Sequence, residues 1–202
     1  MNDCQNCQGG SCEQSGECRL PPGMLSEYDL DRPIADGIMI WLEVSEDNHP
    51  NIEDTSLEVL SKVAEIYDGR IFGIVFGDIE LKPLYKEAFL HGVDTLYHVR
   101  SNKLKFDIGS YGDSIKEIVE RVNPSVLMMS ATERGNELAT LLADMLGSTV
   151  SLDLRELTVN EISVSGTNPK ILTVRPGSFS ISEPIGNDIG TVIYWQYKPR
   201  LT

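Results

Sequence analysis

The chain has 202 residues, 41% of them hydrophobic, which suits one domain of ordinary size with its own core. Its 31 acidic residues outnumber 17 basic ones for a formal net charge of −14, a surface that repels nucleic-acid phosphates and anionic lipid headgroups. No apolar run approaches the roughly 20 residues that span a bilayer. The polar start, Met1 to Gly10, has neither the basic nor the apolar region of a secretory signal. A cytoplasmic protein without membrane insertion or nucleic-acid partners is expected.

Composition divides the chain into a polar leader over residues 1–33, an α/β domain over 34–182 and a C-terminal strand and tail over 183–202. The leader holds all four cysteines, spaced Cys4-x2-Cys7-x4-Cys12-x5-Cys18. Four thiolates can hold one iron–sulfur cluster or one tetrahedral zinc, and in a reducing compartment cysteines serve as ligands or redox thiols more often than as disulfides. The residues between them are almost all small or polar, so the segment orders itself only around a metal, a cross-link or a docking partner. Three readings stand side by side: a [4Fe–4S] cluster, a zinc knuckle, or free thiols and facultative disulfides.

The middle zone alternates strand-like and helix-like runs. Gly37 to Val44 is a near-continuous apolar run, as a strand buried on both faces requires. Asp54 or Thr55 can cap a helix whose apolar face carries Leu57, Leu60, Val63, Ala64 and Tyr67, with Asp68-Gly69 ending it. Strands follow at Arg70 to Phe76 and Thr95 to Val99, with a helix through Leu84, Ala88 and His91 between them. A third helix carries Ile115, Ile118, Val119 and Val122 and stops at Asn123-Pro124. Ser125 to Ser130 is a fourth strand. A fourth helix buries Leu138, Leu141, Leu142 and Met145 before Gly147, and Thr149 to Ser151 opens a fifth strand. Leu157 to Asn160 and Ile162 to Ser165 alternate like strands, and Lys170 to Val174 and Thr191 to Gln196 are further strands.

The fold expected is α/β: a doubly wound, mostly parallel sheet of the Rossmann-like, nucleotide-binding type, with antiparallel additions at the C-terminal end. Such sheets bind ligands at the carboxyl ends of their strands, which directs attention to the loop after Ser130.

Two segments carry a family resemblance. Ser130-Ala-Thr-Glu-Arg-Gly-Asn-Glu-Leu-Ala-Thr-Leu-Leu-Ala-Asp-Met-Leu-Gly147 resembles the fourth strand-to-helix turn of the electron-transfer flavoprotein alpha subunit. Pro169-Lys-Ile-Leu-Thr-Val-Arg-Pro-Gly-Ser-Phe179 resembles the strand that closes that family's amino-terminal domain. The likeness spans roughly Ile38 to Phe179. It implies a heterodimeric electron carrier in which alpha and beta subunits embrace. FAD sits mainly in the alpha subunit's carboxy-terminal domain and shuttles electrons. That domain follows the Arg175-Pro176 motif in the family, and the sequence stops shortly after it. FAD is therefore expected to be held by, or shared with, a partner: a beta-like subunit or a flavin-domain protein. The cysteine leader is not part of the ordinary subunit.

Thr132, Arg134 and Gly135 form a strand-to-helix turn whose backbone N–H groups can receive a phosphate or carboxylate, Arg134 adding charge. Otherwise Thr132 caps the helix and Gly135 permits close packing. Arg175 stands in extended backbone before Pro176, aimed at a flavin or partner, or engaged in a surface ion pair. His49, His91 and His98 share no ligand spacing and are read as structural. No catalytic triad, Gly-rich phosphate loop or HExxH pattern is present. The expectation is an electron-carrier component rather than a stand-alone catalyst. The alternative is a nucleotide- or protein-binding regulatory or assembly module without redox activity.

Overall fold

Gly37–Trp41 forms β1, and all five of its residues are buried. Both of its faces are covered, which is why the apolar run shows no alternation. The structure is a computed structural model and describes residues 37–45, 50–77, 82–100, 106–162, 169–185 and 188–196. The cysteine positions Cys4, Cys7, Cys12 and Cys18 and the histidine His49 lie outside the described residues.

After β1 come α1 (Asp54–Ile66), β2 (Arg70–Gly77), α2 (Lys82–Leu90), β3 (Thr95–Arg100), α3 (Ile108–Val122), β4 (Val126–Ser130), α4 (Glu133–Leu146), β5 (Val150–Leu154), the four-residue α5 (Val159–Ile162), β6 (Lys170–Val174) and β7 (Thr191–Gln196). Local chemistry fixes the helix ends. Asp107 caps α3 by accepting from Ser110 N at 2.9 Å, and Asn123 ends it in the left-handed conformation. Thr132 caps α4, and Gly147 ends it, also left-handed.

The strands form a seven-stranded sheet in the order β5-β6-β4-β1-β2-β3-β7. β1 is central, pairing with β2 on one side and β4 on the other. The two faces bury different helices. Ile38 and Ile40 pack with Leu57, Leu60 and Val63 of α1 and Leu84 and Ala88 of α2. Met39 and Trp41 pack with Ile115 and Ile118 of α3 and Leu138 and Leu142 of α4. The doubly wound α/β expectation is therefore met, with the period-2 alternation of each strand feeding both layers.

The antiparallel additions are not. β6 pairs parallel with β4, and β7 pairs parallel with β3. Parallel pairing requires a long connection, and the described residues between β6 and β7 supply one without a helix. After β6 it crosses the α1/α2 layer: Gly177 N donates to Glu58 Oε2 at 2.7 Å, Ser182 N to Ser61 Oγ at 3.3 Å and Ile185 N to the Leu90 carbonyl at 3.0 Å. Gly190 then passes so close to Phe89 that an added Cβ would stand 2.4 Å from its ring. The alternation at Leu157 to Asn160 is not a strand either; Val159–Ile162 is α5. Glu161 folds back on the start of this turn, its Oε2 accepting from Thr158 N at 2.9 Å and from Thr158 Oγ1 at 3.4 Å.

Candidate functional site

The chain lays β2 and β3 to one side of β1 and then turns back to place β4 on the other. The carboxyl ends of β1 and β4 therefore flank the point where strand order reverses, the usual place for a ligand in such sheets. The turn Ser130 to Gly135 stands there, joining β4 to α4.

Thr132 Oγ1 accepts from Gly135 N at 3.0 Å and donates to Glu43 Oε2 at 3.0 Å. Glu43, just beyond β1, is fixed in turn by its backbone N–H, which donates to Ser56 Oγ on α1 at 2.9 Å. A carboxylate thus stands beside the cap of α4. A Cβ on Gly135 would lie 1.9 Å from the Ser130 carbonyl oxygen, so the glycine lets the helix seat directly on the end of β4.

Arg134 lies over the Phe106 ring at 5.0 Å. Phe106 meets Tyr111 edge-on at 4.9 Å and Trp41 at 6.4 Å, and Tyr111 stacks on Phe76 at 3.8 Å. The ends of β1 and β2 and the start of α3 thereby build an aromatic cluster beside the turn.

Arg175, just past β6, grips Asp153 with two parallel hydrogen bonds: Nε to Oδ1 at 2.8 Å, and Nη2 to Oδ2. Asp153 is left-handed, φ 62°, where the register of β5 shifts. The Arg175 hydrogen bond holds the Asp153 carboxyl below its ordinary value, and the Arg175 and Arg155 charges act in the same direction against partial desolvation. Thr173 links this pair to α4: Asp153 N donates to Thr173 Oγ1 at 2.8 Å, and Thr173 Oγ1 donates to Asn136 Oδ1 at 2.8 Å. Asn136 N bonds the Thr132 carbonyl at 2.9 Å. The four residues singled out from the sequence, Thr132, Arg134, Gly135 and Arg175, therefore share one carboxyl edge, joined by Asn136, Thr173 and Asp153.

Sequence reasoning missed Glu43 and the aromatic cluster. Strand-terminal aromatics at Trp41 and Phe76 were the available signal for the cluster. Among the described residues no group of three or more His, Cys, Asp or Glu side chains could hold a metal. No helix among them is long and apolar enough to cross a membrane.

The electron transfer flavoprotein domain family matches residues 41–199, from the end of β1 to beyond β7. Curated relatives agree. The electron transfer flavoprotein subunit alpha of Megasphaera elsdenii is 24% identical over 172 residues, 74% of this chain and 51% of that protein. Protein FixB of Azotobacter vinelandii is 25% identical over 193 residues, 83% of this chain and 53% of that protein. Protein FixB of Bradyrhizobium diazoefficiens is 33% identical over 85 residues, 41% of this chain and 23% of that protein. The chain thus spans about half the length of the first two. With the family matched across most of the chain and alpha subunits and FixB proteins among its relatives, this protein belongs to the electron transfer flavoprotein family, on its alpha-subunit side.

Proposed function

We propose that this chain is the alpha-type component of an electron-transfer pair, working with a beta-like subunit and a flavin held by a partner domain. The observation that carries it is the family match from the end of β1 through β7, residues 41–199. The carboxyl edge is its docking side. Arg134 on Phe106 and the Arg175–Asp153 pair present rigid cationic and aromatic groups of the kind that anchor protein interfaces.

FAD does not fit the crevice between β1 and β4. A dinucleotide pyrophosphate rests on a free helix amino-terminus, whereas here Thr132 caps α4 and the Glu43 carboxylate bonds that same threonine. Gly135 serves seating on the Ser130 carbonyl rather than clearance for a ligand. The four edge residues position a partner and do not hold the pyrophosphate. In the leader, Cys4, Cys7, Cys12 and Cys18 supply a donor set that suits a [4Fe–4S] cluster, or zinc as the second choice. A cluster there would supply one-electron chemistry.

One preparation tests both parts. The protein is purified anaerobically, with its amino terminus untagged, alone and mixed with a beta-type subunit and FAD. A brown absorption that bleaches with dithionite and is lost on Cys4→Ser/Cys7→Ser substitution is expected for the chain alone. A 1:1 complex on gel filtration is expected with the beta-type subunit. A colourless chain overturns the cluster, and failure to associate overturns the alpha-type role. Retention of FAD by the isolated chain would show that the flavin has been assigned to the wrong partner.

A further inference from the structure

The two edges of the sheet are built differently. β5 closes one of them with a register shift at the left-handed Asp153 and with the Asp153–Arg175 ion pair. Irregularities and charges of this kind keep an edge strand from pairing with another chain. β7 closes the other edge and has neither device. Thr191-Val-Ile-Tyr-Trp-Gln196 carries no charge and no proline, and all but Gln196 are β-branched or aromatic, the residue types that favour strands. Thr191 N donates to the Asp94 carbonyl, just before β3, at 3.0 Å. Peptide groups alternate in direction along a strand. Thr191, Ile193 and Trp195 therefore turn their N–H and C=O groups toward β3, while Val192, Tyr194 and Gln196 turn theirs to the outer side. No described strand lies beyond them.

Two arginines bracket this edge, one on each face. The Arg100 guanidinium lies 4.8 Å over the Tyr194 ring on the α1/α2 side, and the Arg121 guanidinium lies 5.8 Å over the Trp195 ring on the α3/α4 side. Both arginines are exposed, and among the described residues neither is in an ion pair. In a chain with 31 acidic residues against 17 basic ones, two unpaired cations at one edge stand out. The acids close by are engaged: Glu117 on α3 accepts from Trp195 Nε1 at 3.3 Å, and Asp188 pairs with Lys86 at 3.5 Å. Apolar surface adjoins them, since Tyr194 is 51% exposed and Ile189, just before β7, is 80% exposed.

We infer that β7 is a docking edge for an extended acidic segment of a partner protein, which adds an eighth strand to the seven-stranded sheet. Main-chain hydrogen bonds to Val192, Tyr194 and Gln196 supply affinity, and side chains that alternate between the two faces supply specificity. A carboxylate on either face meets a guanidinium already laid on a ring, and aliphatic residues between the carboxylates cover Tyr194. A second copy of this chain fits less well. It carries the same net charge of −14, and pairing β7 with itself sets cation against cation. The edge stands three places from β1 in the sheet and uses none of Thr132, Arg134, Gly135 and Arg175, so the inference does not rest on the flavin partnership.

The test is fluorescence anisotropy of the full chain with a labelled peptide of alternating Glu and Val, compared with its neutral counterpart of alternating Gln and Val. The native chain should prefer the Glu-Val peptide by about tenfold, the worth of two exposed ion pairs, despite its own negative charge. The preference should shrink as salt rises and vanish in Arg100→Gln/Arg121→Gln. Methylation of every peptide amide nitrogen should abolish binding. Val192→Pro, which removes an outward amide and leaves those facing β3, should weaken it with the circular dichroism unchanged. No binding of either peptide, equal binding of both, a preference that survives in the double variant, or indifference to N-methylation overturns the proposal. A chain that elutes from gel filtration as a dimer, broken by Val192→Pro, gives the edge to a second copy and also overturns it. Should Val192→Pro fail to fold, the N-methylated peptide decides on the native chain.

Discussion

At Gly135 an added Cβ would stand 1.9 Å from the Ser130 carbonyl oxygen and 3.2 Å from Thr132 Oγ1. The nearest obstacle is backbone, which cannot swing aside as a side chain can. Gly135→Ala should therefore destabilise the domain by about 3 kcal/mol, the upper part of the overpacking range. Urea unfolding checks it, and an unchanged midpoint would mean that α4 lifts off the sheet without cost. Asp153 makes a different kind of contribution. Its carboxyl is held below the ordinary value of 3.8, foremost by the Arg175 hydrogen bond. A carboxyl whose folded pKa is depressed adds stability that is present above its unfolded pKa and lost as pH falls through the folded one. The stability gap between the native chain and Asp153→Asn should stay constant near neutrality and close as pH drops below 3.8. Asparagine tolerates the left-handed backbone at this position, so the comparison isolates the charge. A gap that persists unchanged into strong acid would deny the pair any linkage to protons. Thr132 and Gly135 were legible in the sequence because the turn chemistry lies within six consecutive residues. Glu43 was not, because its bond to Thr132 spans 89 positions that no local pattern connects.

Helix ends and strand pairings show where local pattern stops being enough. The apolar faces of α1 and α3 were readable from periodicity, and the ends of α3 and α4 from Asn123 and Gly147; on α4 Leu138 and Leu142 are buried as expected, but Leu141 and Met145 are half-buried and Ala139 and Ala143 take the buried places. The start of α1 was not: Glu53 stands at its cap without a side-chain hydrogen bond, while Ser56, which can cap neighbouring amides, instead accepts from Glu43 N just past β1. A tertiary bond took the group that local rules would have used. At α5 the error ran the other way. The alternating apolar pattern at Leu157 to Asn160 suggests a strand, but Glu161 folds back onto the Thr158 amide and a helical turn forms instead. α4 offers the test at this scale, because its cap does two jobs. Thr132→Ala removes both the acceptor for Gly135 N and the donor to Glu43, and should cost about 1 to 2 kcal/mol. Thr132→Ser keeps the hydroxyl and should cost only a few tenths of that. Denaturation midpoints of the two variants give the comparison, and equal losses would mean that the methyl group, rather than the cap, carries the effect.

Over the whole molecule, the parallel order of the sheet was legible from the alternation of strands and helices, but the direction of the last two strands was not. A helix between strands announces a parallel crossover. The described residues between β6 and β7 contain none, and their course over α1 and α2 is written in dispersed contacts with Glu58, Ser61, Leu90 and Phe89. That excursion delivers β7 to the far edge, where it covers β3. All six residues of β3 pair with it, Thr95↔Thr191 through Arg100↔Gln196. Without β7, the peptide groups of β3 on that side lose their partners and the side chains of Tyr97 and His98 lose their neighbours Trp195 and Tyr194. The two apolar layers, in contrast, are built among residues 38–193 and Trp195, with no described contribution from the first 36 positions. Two truncations should therefore behave oppositely. Removing residues 1–33 should leave the thermal midpoint within about 2–3 °C of the full chain, the size of a sub-kcal/mol change in a domain of this length. Removing residues 191–202 should abolish cooperative unfolding or lower the midpoint by more than about 10 °C, since a bare parallel edge is also a template for aggregation. If the leader deletion proved the more damaging of the two, the cysteine segment would have to be counted as part of the folded core.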